Sequence, residues 1–277
     1  MSDLIDLREL TQSEFEELVA SWGQAPFRAR QVQKWLFKGV ADFAAMTDIG
    51  KEFRKLLLEK TYVSRLFLLE RQHSADGSEK FSFRLEDGAV IESVLIPEVD
   101  HYTLCLSSQA GCAQNCRFCL TAQQGLHRNL SPAEIINQIL LVRSLIANSS
   151  TVTNLVFMGM GEPLANFPNL VKALTIILAD WGLNFSSRRV TVSTAGLAPL
   201  IPALGKAIRV NLAVSLNAPN DALRRRLMPV TQKYPLAQVL EACRAFPLPP
   251  HRRITFSYVL LKGVNDSPDQ ARELARL

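Results

Sequence analysis

A repeated alternation of strand and helix patterns begins near residue 102 and continues to the last residues. Short apolar segments rich in β-branched residues are each followed by a loop and then by an amphipathic helical pattern, five times at a spacing of roughly 35 residues. Strands that alternate with covering helices pair in parallel, so this region predicts an α/β fold, a partial (β/α) barrel. The predicted strand–helix pairs are 103–107 with 132–147, 154–157 with 170–181, 189–193 with 197–208, 210–215 with 236–246, and 254–260 with 268–277.

The first hundred residues are organised differently. Residues 1–60 carry three amphipathic helical patterns, which predict an N-terminal helical accessory domain. Residues 61–100 alternate polar and apolar side chains around the turn dipeptides Asp76-Gly77 and Asp87-Gly88, so we expect a short antiparallel β meander. The predicted domains are therefore the helical domain over 1–60, the β connector over 61–100 and the partial barrel over 101–277.

Charge is distributed unevenly along the chain. Residues 1–100 hold 13 basic and 18 acidic side chains, whereas residues 101–277 hold 18 and 8. A basic second half suits an anionic partner, although a solvated surface explains it equally well. Apolar residues make up 48% of the chain, enough for a full core, while no apolar run reaches the ~18 residues of a spanning helix. The first twenty residues are acidic, unlike a targeting leader, so we expect a folded cytoplasmic protein with no membrane partner.

Three of the five cysteines, Cys112, Cys116 and Cys119, form a C-x3-C-x2-C motif just after the first predicted barrel strand. Disulfides at such spacings would be strained, and clustered thiols in a reducing compartment indicate metal ligands or catalytic groups. Structural zinc is the competing interpretation, but it requires four ligands, usually in two separated pairs, and no second pair exists. Three cysteines suit a [4Fe–4S] cluster with one iron open to a substrate or cofactor.

This motif resembles that of the radical S-adenosylmethionine (SAM) superfamily, in which three cysteines hold the cluster and SAM binds the fourth iron. The surrounding segments resemble more narrowly the dual-specificity ribosomal and transfer RNA (adenine-C2)-methyltransferases, and the likeness covers residues 5–277. A sister family that methylates adenine at C8 shares much of this sequence, so the carbon that is methylated stays open. The segments that carry the resemblance are LCLSSQAGC (104–112), TAQQG (121–125), MGMGEPL (158–164), PFRARQ (26–31) with Trp35, and Met46-Thr47.

The resemblance implies cofactor-binding roles for residues on the loops after the predicted strands. The family usually has histidine where Asn217 stands, and asparagine keeps a hydrogen-bond donor without the imidazole. Taken singly, these residues also have ordinary explanations as turn residues and helix caps. The implied cluster ligands are Cys112, Cys116 and Cys119, and the implied SAM-binding residues are Gly161, Glu162, Ser193, Ser215, Leu216 and Asn217.

The resemblance also assigns Cys105 and Glu92 to the chemistry. Cys105 would resolve a covalent protein–RNA intermediate and help to remove the C2 proton, with Glu92 as the proton acceptor. By strand alternation Glu92 shares a face with Val90, Val94 and Ile96, so we expect its carboxylate among apolar side chains, an environment that suits proton transfer. The structural alternatives are a core cysteine and a surface glutamate.

The family's mechanism needs a second cysteine, near its C-terminus, that carries the methyl group before a SAM-derived radical activates it. Cys243 matches no such position and is more simply a core residue of the fourth covering helix. The predicted barrel also stops after its fifth helix, so we expect a chain whose C-terminal part is missing. Alone, it would be a catalytically incomplete, cluster-containing RNA-binding fragment.

The resemblance further implies 23S ribosomal RNA and transfer RNA as substrates, an electron donor such as flavodoxin or ferredoxin, and a monomer. Basic side chains that contact RNA phosphates position the strand without reading its sequence, and a solvated surface explains each of these residues equally well. The candidates are His127, Arg128, Arg188, Arg189, Arg224, Arg225, Arg226, Arg252 and Arg253, with Arg28, Arg30, Lys34 and Lys38 of the accessory domain.

Overall fold

The computed structural model describes residues 4–148 and 151–277, so residues 1–3 of the predicted helical domain lie outside the described residues. Helices and strands occur throughout, which confirms the predicted α/β class. The chain divides into two compact units, neither of which is continuous in sequence. The first combines the residues up to Leu104 with Leu130–Asn154 and Lys172–Ser186, and the second combines Cys105–Asn129, Leu155–Val171 and Ser187–Leu277.

Three helices, α1 (Gln12–Ser21), α2 (Phe27–Leu36) and α3 (Lys51–Lys60), lie in the first unit where the helical patterns predict them. Helix α1 begins with a capping box, in which the Thr11 hydroxyl accepts from the Glu14 N–H and the Glu14 carboxylate accepts from the Thr11 N–H. The apolar faces of the three helices share one core, whose fully buried members include Leu7, Phe15, Val19, Val32, Leu36, Met46 and Leu57.

Some short elements of the first unit are not apparent in the sequence. Strand β1 (Ile5–Asp6) pairs in parallel with β2 (Thr61–Tyr62), and 3-10 helices cover Leu7–Glu9 and Phe43–Ala45. Two- and three-residue elements carry no periodicity that a pattern could reveal, so only the contacts between distant segments define them.

The predicted meander is confirmed as strands β3 (Phe67–His73), β4 (Glu79–Arg84) and β5 (Val90–Pro97), which pair in antiparallel order. Phe83 lies opposite Ile91 in this ladder, and both are fully buried. In β4 and β5 the alternation of apolar and polar residues therefore identified one interior face, whereas every residue of β3 is exposed.

The apolar environment predicted for Glu92 is wrong. Strand β5 directs the other set of alternating residues into the interior, and Glu92 lies on the face where Val90 is 46% exposed. Both faces of β5 carry aliphatic residues. Because successive side chains point to opposite faces, a prediction that takes the wrong face as the interior places every residue of the strand on the wrong side. The buried members of β5 are Ile91, Ser93 and Leu95.

The first strand and the first helices of the predicted barrel lie close to their predicted positions. Strand β6 covers Tyr102–Cys105, and helix α5 (Pro132–Leu145) begins with a second capping box between Ser131 and Glu134. Helix α6 (Phe167–Leu178) begins three residues before the predicted start.

Four strands, β9 (Val152–Phe157), β10 (Val190–Thr194), β11 (Asn211–Ser215) and β12 (Thr255–Ser257), pair in parallel in chain order, which confirms the predicted parallel arrangement. Strand β12 is shorter than the predicted segment 254–260. The carboxyl ends of these strands follow one another along a single edge, because the register does not slip. Paired residues include Val192 with Phe157, Ser193 with Ala213, and Ser215 with Ser257.

Helices α7 (Leu200–Ala207), α9 (Leu236–Arg244) and α10 (Pro268–Leu274) lie within the predicted covering helices. Helix α8 (Asp221–Leu227) was not predicted, since its run of arginines reads as an exposed surface segment. No helix among the described residues is both long enough and apolar enough to cross a membrane.

A small unpredicted hairpin encloses the cysteine motif. Strand β7 (Gln109–Gly111) pairs in antiparallel with β8 (Leu126–Asn129), and helix α4 (Leu120–Gln123) lies between them. The hairpin brings both ends of the cysteine loop together, so the loop projects from a fixed base.

Candidate functional site

A cavity of about 230 Å³ lies in the second unit, beside residues at the carboxyl ends of β9, β10, β11 and β12. The cysteine loop, the loop after β9 and Met228 supply the remaining walls. In barrels of parallel strands this edge is the one that carries function. The predicted site residues that line the cavity are Cys112, Cys116, Cys119, Gly161, Glu162, Ser193 and Ser215, joined by Phe118, Met158, Gly159, Thr194, Ala195, Met228 and Ser257.

The cysteine loop is held by its own backbone. The Cys112 N–H donates to Gly125 O at 2.8 Å, and the Cys119 N–H donates to Cys116 O at 3.1 Å. Between them, the Arg117 N–H donates to Leu227 O of α8 at 2.9 Å. These bonds hold the loop that places three thiols against one cavity, and the Phe118 side chain packs against the apolar cluster that contains Leu227 and Met228.

Burial disfavours the thiolate form of Cys112 and Cys116. It raises the pKa of the Cys112 thiol, and it raises the pKa of Cys116 to about 12, with the neighbouring Cys112 and Cys119 adding to the effect. A bound cationic metal reverses this balance, because it stabilises thiolates directly.

The donor set fits a [4Fe–4S] cluster with one open iron, since three cysteine thiols line the same cavity. Within residues 4–148 and 151–277, no three His, Cys, Asp or Glu side chains already stand in the arrangement of a metal site. The fit therefore rests on the kind and number of donors.

The loop after β9 packs against residues 106–109 at two glycines. A Cβ at Gly159 would lie 2.7 Å from Leu106 O, and a Cβ at Gly161 would lie 2.5 Å from the Gln109 Cβ. Gly161 also has a φ of +98°, which side-chain-bearing residues rarely adopt. Both glycines are required for this approach, which brings Glu162 to the cavity wall.

Glu162 is a buried carboxyl group, 3% exposed. Its Oε1 accepts from the Leu164 N–H at 3.0 Å and its Oε2 from the Ala195 N–H at 2.6 Å. Its own N–H donates to Gln109 Oε1 at 2.8 Å. Burial nevertheless raises the pKa of Glu162 to about 7, so a cationic ligand group in the cavity would stabilise its anion.

The two predicted serines reach the cavity from neighbouring strands. Ser193 is buried near the end of β10, and Ser215 ends β11, where its hydroxyl oxygen accepts from Ser257 Oγ at 3.4 Å. Thr194, which the sequence analysis missed, lines the same wall and accepts from the Gly196 N–H at 3.0 Å. Its position next to Ser193, after a predicted strand, was the available signal.

Asn217 and Leu216 do not line this cavity, and their SAM-binding roles stay predictions. The Asn217 side chain is 2% exposed; its Oδ1 accepts from the Val259 N–H at 2.9 Å and its Nδ2 contacts Met228 Sδ at 3.3 Å. Leu216 lines a separate apolar cavity with Phe256. Asn217 thus holds a loop, and its φ of +59° is one that asparagine tolerates well.

Arg224 is not an RNA contact, because it is fully buried. Its Nε donates to Leu216 O at 3.1 Å, and its Nη1 donates to Thr231 Oγ1 at 2.9 Å. Its Nη2 donates to Ala195 O at 2.6 Å and to Ser215 O at 3.0 Å. Arg224 therefore ties together the loops that follow β10 and β11, a function that no sequence signal revealed.

Cys105 and Glu92 lie outside the lining of the cavity. Cys105 is buried, and burial raises the pKa of its thiol to about 11, opposed in part by a hydrogen bond from the Met158 backbone. The Glu92 side chain is 40% exposed, and its carboxylate pairs with Lys80 Nζ at 3.0 Å. Their catalytic roles stay predictions.

The other basic residues predicted to contact RNA differ in their exposure to solvent. Arg188, Arg189, Arg225, Arg226 and Arg253 are exposed. Arg252 is half-buried and donates to Ser187, and Arg30 pairs with Glu16 at 2.6 Å.

Comparison with known proteins agrees with this geometry. Residues 106–275 match the radical SAM superfamily, and residues 5–63 match the ribosomal RNA large subunit methyltransferase N-terminal domain. The dual-specificity RNA methyltransferase RlmN of Geobacter sulfurreducens is 53% identical, covering 100% of this chain and 76% of the relative. The protein of that name from Syntrophus aciditrophicus is 46% identical, covering 99% and 79%.

A solved structure supports the fold independently. The crystal structure of a radical SAM methyltransferase from Sphaerobacter thermophilus superposes with a TM-score of 0.91 at 41% identity, covering 98% of this chain and 81% of that chain. The predicted family resemblance is confirmed by these matches.

Proposed function

We infer the function of this chain from its family, because it belongs to the RlmN family of dual-specificity RNA methyltransferases, within the radical SAM superfamily. It methylates adenine C2 in 23S ribosomal RNA and in transfer RNA, using a [4Fe–4S] cluster and SAM and proceeding through a methyl-cysteine. The observation that carries the proposal is that three clustered thiols, Glu162 and Ser193 line one cavity at the strand ends.

Cys112, Cys116 and Cys119 hold the cluster in this proposal. When bound, the cluster supplies the electron that cleaves SAM reductively. The chain's own contribution is a recessed cavity whose walls are fixed by backbone hydrogen bonds of the cysteine loop and by Gly159 and Gly161.

Glu162 receives the ammonium group of SAM. Its carboxylate already accepts two backbone N–H bonds, so it is oriented before the ligand arrives. Its raised pKa means that the approaching cation also draws the carboxyl group into its ionised form. The hydroxyls of Ser193 and Ser215 offer neutral hydrogen-bond partners in the same cavity.

Cys105 takes part in removal of the C2 proton, with Glu92 as acceptor. The Cys105 thiol is protonated at neutral pH because its pKa is about 11, so it must lose its proton before it can act as a base or nucleophile. The Glu92 carboxylate is half-exposed and can pass a proton to solvent.

The proposed partners are the two RNA substrates and an electron donor such as flavodoxin or ferredoxin. The protein is proposed to act as a monomer. The exposed arginines of the second unit, Arg225 and Arg226 among them, contact RNA phosphates.

The test is an anaerobic assay of the protein reconstituted with iron and sulfide and supplied with reduced flavodoxin, SAM, and either a 23S ribosomal RNA fragment or a transfer RNA. We expect 5′-deoxyadenosine in the reaction mixture. We expect 2-methyladenosine in the digested RNA when the protein used also supplies the methyl-carrying cysteine, a role to which no cysteine of this sequence is assigned; mass spectrometry measures both. Cys116→Ala should lose cluster iron and both products, whereas Cys243→Ala, which alters a buried cysteine away from the cavity, should retain them.

Each alternative has its own product. Formation of 8-methyladenosine would assign the chain to the sister reaction. Production of 5′-deoxyadenosine without methylated RNA would indicate a cluster-containing RNA-binding protein, and a Cys116→Ala protein that keeps its iron would overturn the ligand assignment.

A further inference from the structure

A second cavity, of about 640 Å³, lies within the first unit and takes no part in the proposed chemistry. We call it the arginine cavity. Four of its lining residues are cationic, Arg8, Lys38, Arg65 and Arg143, and none is acidic. Its other walls are apolar or neutral, with Phe37, Leu66 and Leu140 among them.

Arg8 is the most deeply placed of these cations, only 5% exposed. Its Nη1 donates to Asn137 Oδ1 at 2.8 Å and to Ser64 O at 3.2 Å, and its Nη2 donates to Leu36 O at 3.4 Å. These acceptors are neutral, so they orient the guanidinium group without neutralising it.

The guanidinium groups retain unused donors. The Nε atoms of Arg8 and Arg143 are buried and have no hydrogen-bond partner among the described residues. A buried donor left unpaired is costly and is rare in native proteins, so burying these two arginines carries a free-energy cost. A nearby anion would offset that cost through its charge, without reaching the closed-off Nε atoms.

Electrostatics favours the same conclusion. Burial lowers the pKa of Arg8 to about 10; Asp6 opposes the fall and Arg65 adds to it, so Arg8 remains cationic at neutral pH at a cost in free energy. Like charges around one cavity repel one another, and an anion bound between them would relieve the repulsion.

We propose that the arginine cavity binds the phosphate group of a nucleotide, with the Lys38 ammonium and Arg65 guanidinium groups on the phosphate oxygens. Arg8 and Arg143 add positive charge from within the fold, since protein groups hold their guanidinium groups: Arg143 donates to Val152 O at 3.0 Å and lies 4.4 Å from the Phe185 ring centroid. Guanidinium groups match phosphate geometry better than any other side chain. A volume of about 640 Å³ falls within the range of small-molecule sites and exceeds what a bare phosphate needs. The apolar wall of Phe37, Leu66 and Leu140 suits the remainder of a nucleotide.

The phosphate group can belong to a free nucleotide or to one unit of an RNA strand, and the chemistry of recognition is the same. The RNA source rests on the proposed function, whereas binding of a free nucleotide does not. Neither requires a cluster or SAM, so a failed methylation assay leaves this site untouched.

The test compares two double variants of the full chain by isothermal titration calorimetry. Lys38→Ala/Arg65→Ala removes two exposed cations of the cavity and leaves the structural Arg8 in place. Lys55→Ala/Lys60→Ala removes the same charge from exposed positions of α3 in the same unit, away from the cavity. The probes are AMP, a hexaribonucleotide, and adenosine, which lacks the phosphate.

We expect the cavity variant to bind AMP or the hexaribonucleotide at least tenfold more weakly than the wild type, and the control variant to bind within about twofold of it, since the lost contacts are charge-assisted. Binding of AMP alone identifies a free nucleotide, and binding of the hexaribonucleotide alone identifies RNA. The proposal is overturned if both variants bind alike, if neither phosphate-bearing probe binds the wild type, or if adenosine binds as well as AMP. The four cations would then serve only the fold, for example by neutralising helix carboxyl ends such as Leu36 of α2.

Discussion

Glu162 and Arg224 are joined through the backbone of Ala195. The Ala195 N–H donates to Glu162 Oε2 at 2.6 Å, and the Ala195 carbonyl accepts from Arg224 Nη2 at the same distance. One residue without a functional side chain is thus held by a buried acid from the loop after β9 and a buried base from α8. The wall of the cofactor cavity after β10 depends on both.

Arg224→Met should destabilise the protein strongly. The substitution leaves four backbone or hydroxyl acceptors without their donor, and we expect the free energy of unfolding to fall by at least about 3 kcal/mol. Urea denaturation of the metal-free protein measures this change. Arg225→Met is the matched control because Arg225 is exposed on the same helix, and its effect should stay within about 0.5 kcal/mol. Equal losses in the two variants would show that the hydrogen bonds of Arg224 contribute little.

Gly161→Ala should cost more than the same substitution at Gly263. Both glycines have positive φ, at +98° and +71°, so both variants incur backbone strain of about 1 kcal/mol. Only at Gly161 does the new methyl group also meet another residue, Gln109, at 2.5 Å, whereas nothing lies within 4 Å at Gly263. We expect an additional loss of about 1–3 kcal/mol at Gly161, measured by urea denaturation. Equal losses would mean that the loop after β9 shifts freely.

The free energy of unfolding of the metal-free protein should depend on pH because Glu162 titrates. Its pKa is about 7 in the folded protein against an ordinary value of 4.5, so the folded state holds a proton that the unfolded state has lost between these values. The stabilisation is complete below about pH 4.5 and is lost as the pH rises through 7. Relative to Glu162→Gln, the wild type should lose on the order of 3 kcal/mol between about pH 4 and pH 8. Denaturation curves across this range measure the difference, and a difference independent of pH would contradict the burial of an ionisable group.

Glu92→Gln should separate chemistry from stability. The ion pair with Lys80 is half-exposed and contributes less than about 1 kcal/mol, so unfolding should be almost unchanged. If Glu92 accepts the proton, RNA methylation should slow by about 100-fold or more. Cleavage of SAM in the absence of RNA should not change.

Lys80→Gln is the control for this prediction, since it breaks the same ion pair and keeps the carboxylate. It should methylate RNA at close to the wild-type rate. If both variants slow equally, the ion pair matters rather than proton acceptance, and the assignment of Glu92 fails.

Much of the fold could be predicted because its elements carry their own signals. Helix α5 has a capping box at Ser131 and a sustained apolar pattern, and its predicted end differs from the observed one by two residues. Strands β1 and β2, two residues each, carry no such signal, since they exist only through their pairing with each other.

The site was predictable to the extent that its residues share one loop. Cys112, Cys116 and Cys119 line one cavity because the chain between them is too short to take them far apart. Glu92 was assigned to the wrong environment because β5 has aliphatic residues on both faces, and only packing decides which face is interior.

Local periodicity, turn chemistry and the spacing of cysteines are properties of neighbouring residues, so the sequence by itself determined the parallel strands, their covering helices and the identity of the thiol donors. Three features follow only from the folded chain: Arg224 is buried, Asn217 holds a loop, and Arg8 and Arg143 line one cavity. The physical reason is that burial and hydrogen bonding depend on which distant segments come to surround a side chain. In the sequence, a run of arginines indicates a solvated surface. Only the folded chain shows that carbonyl groups have replaced water around Arg224.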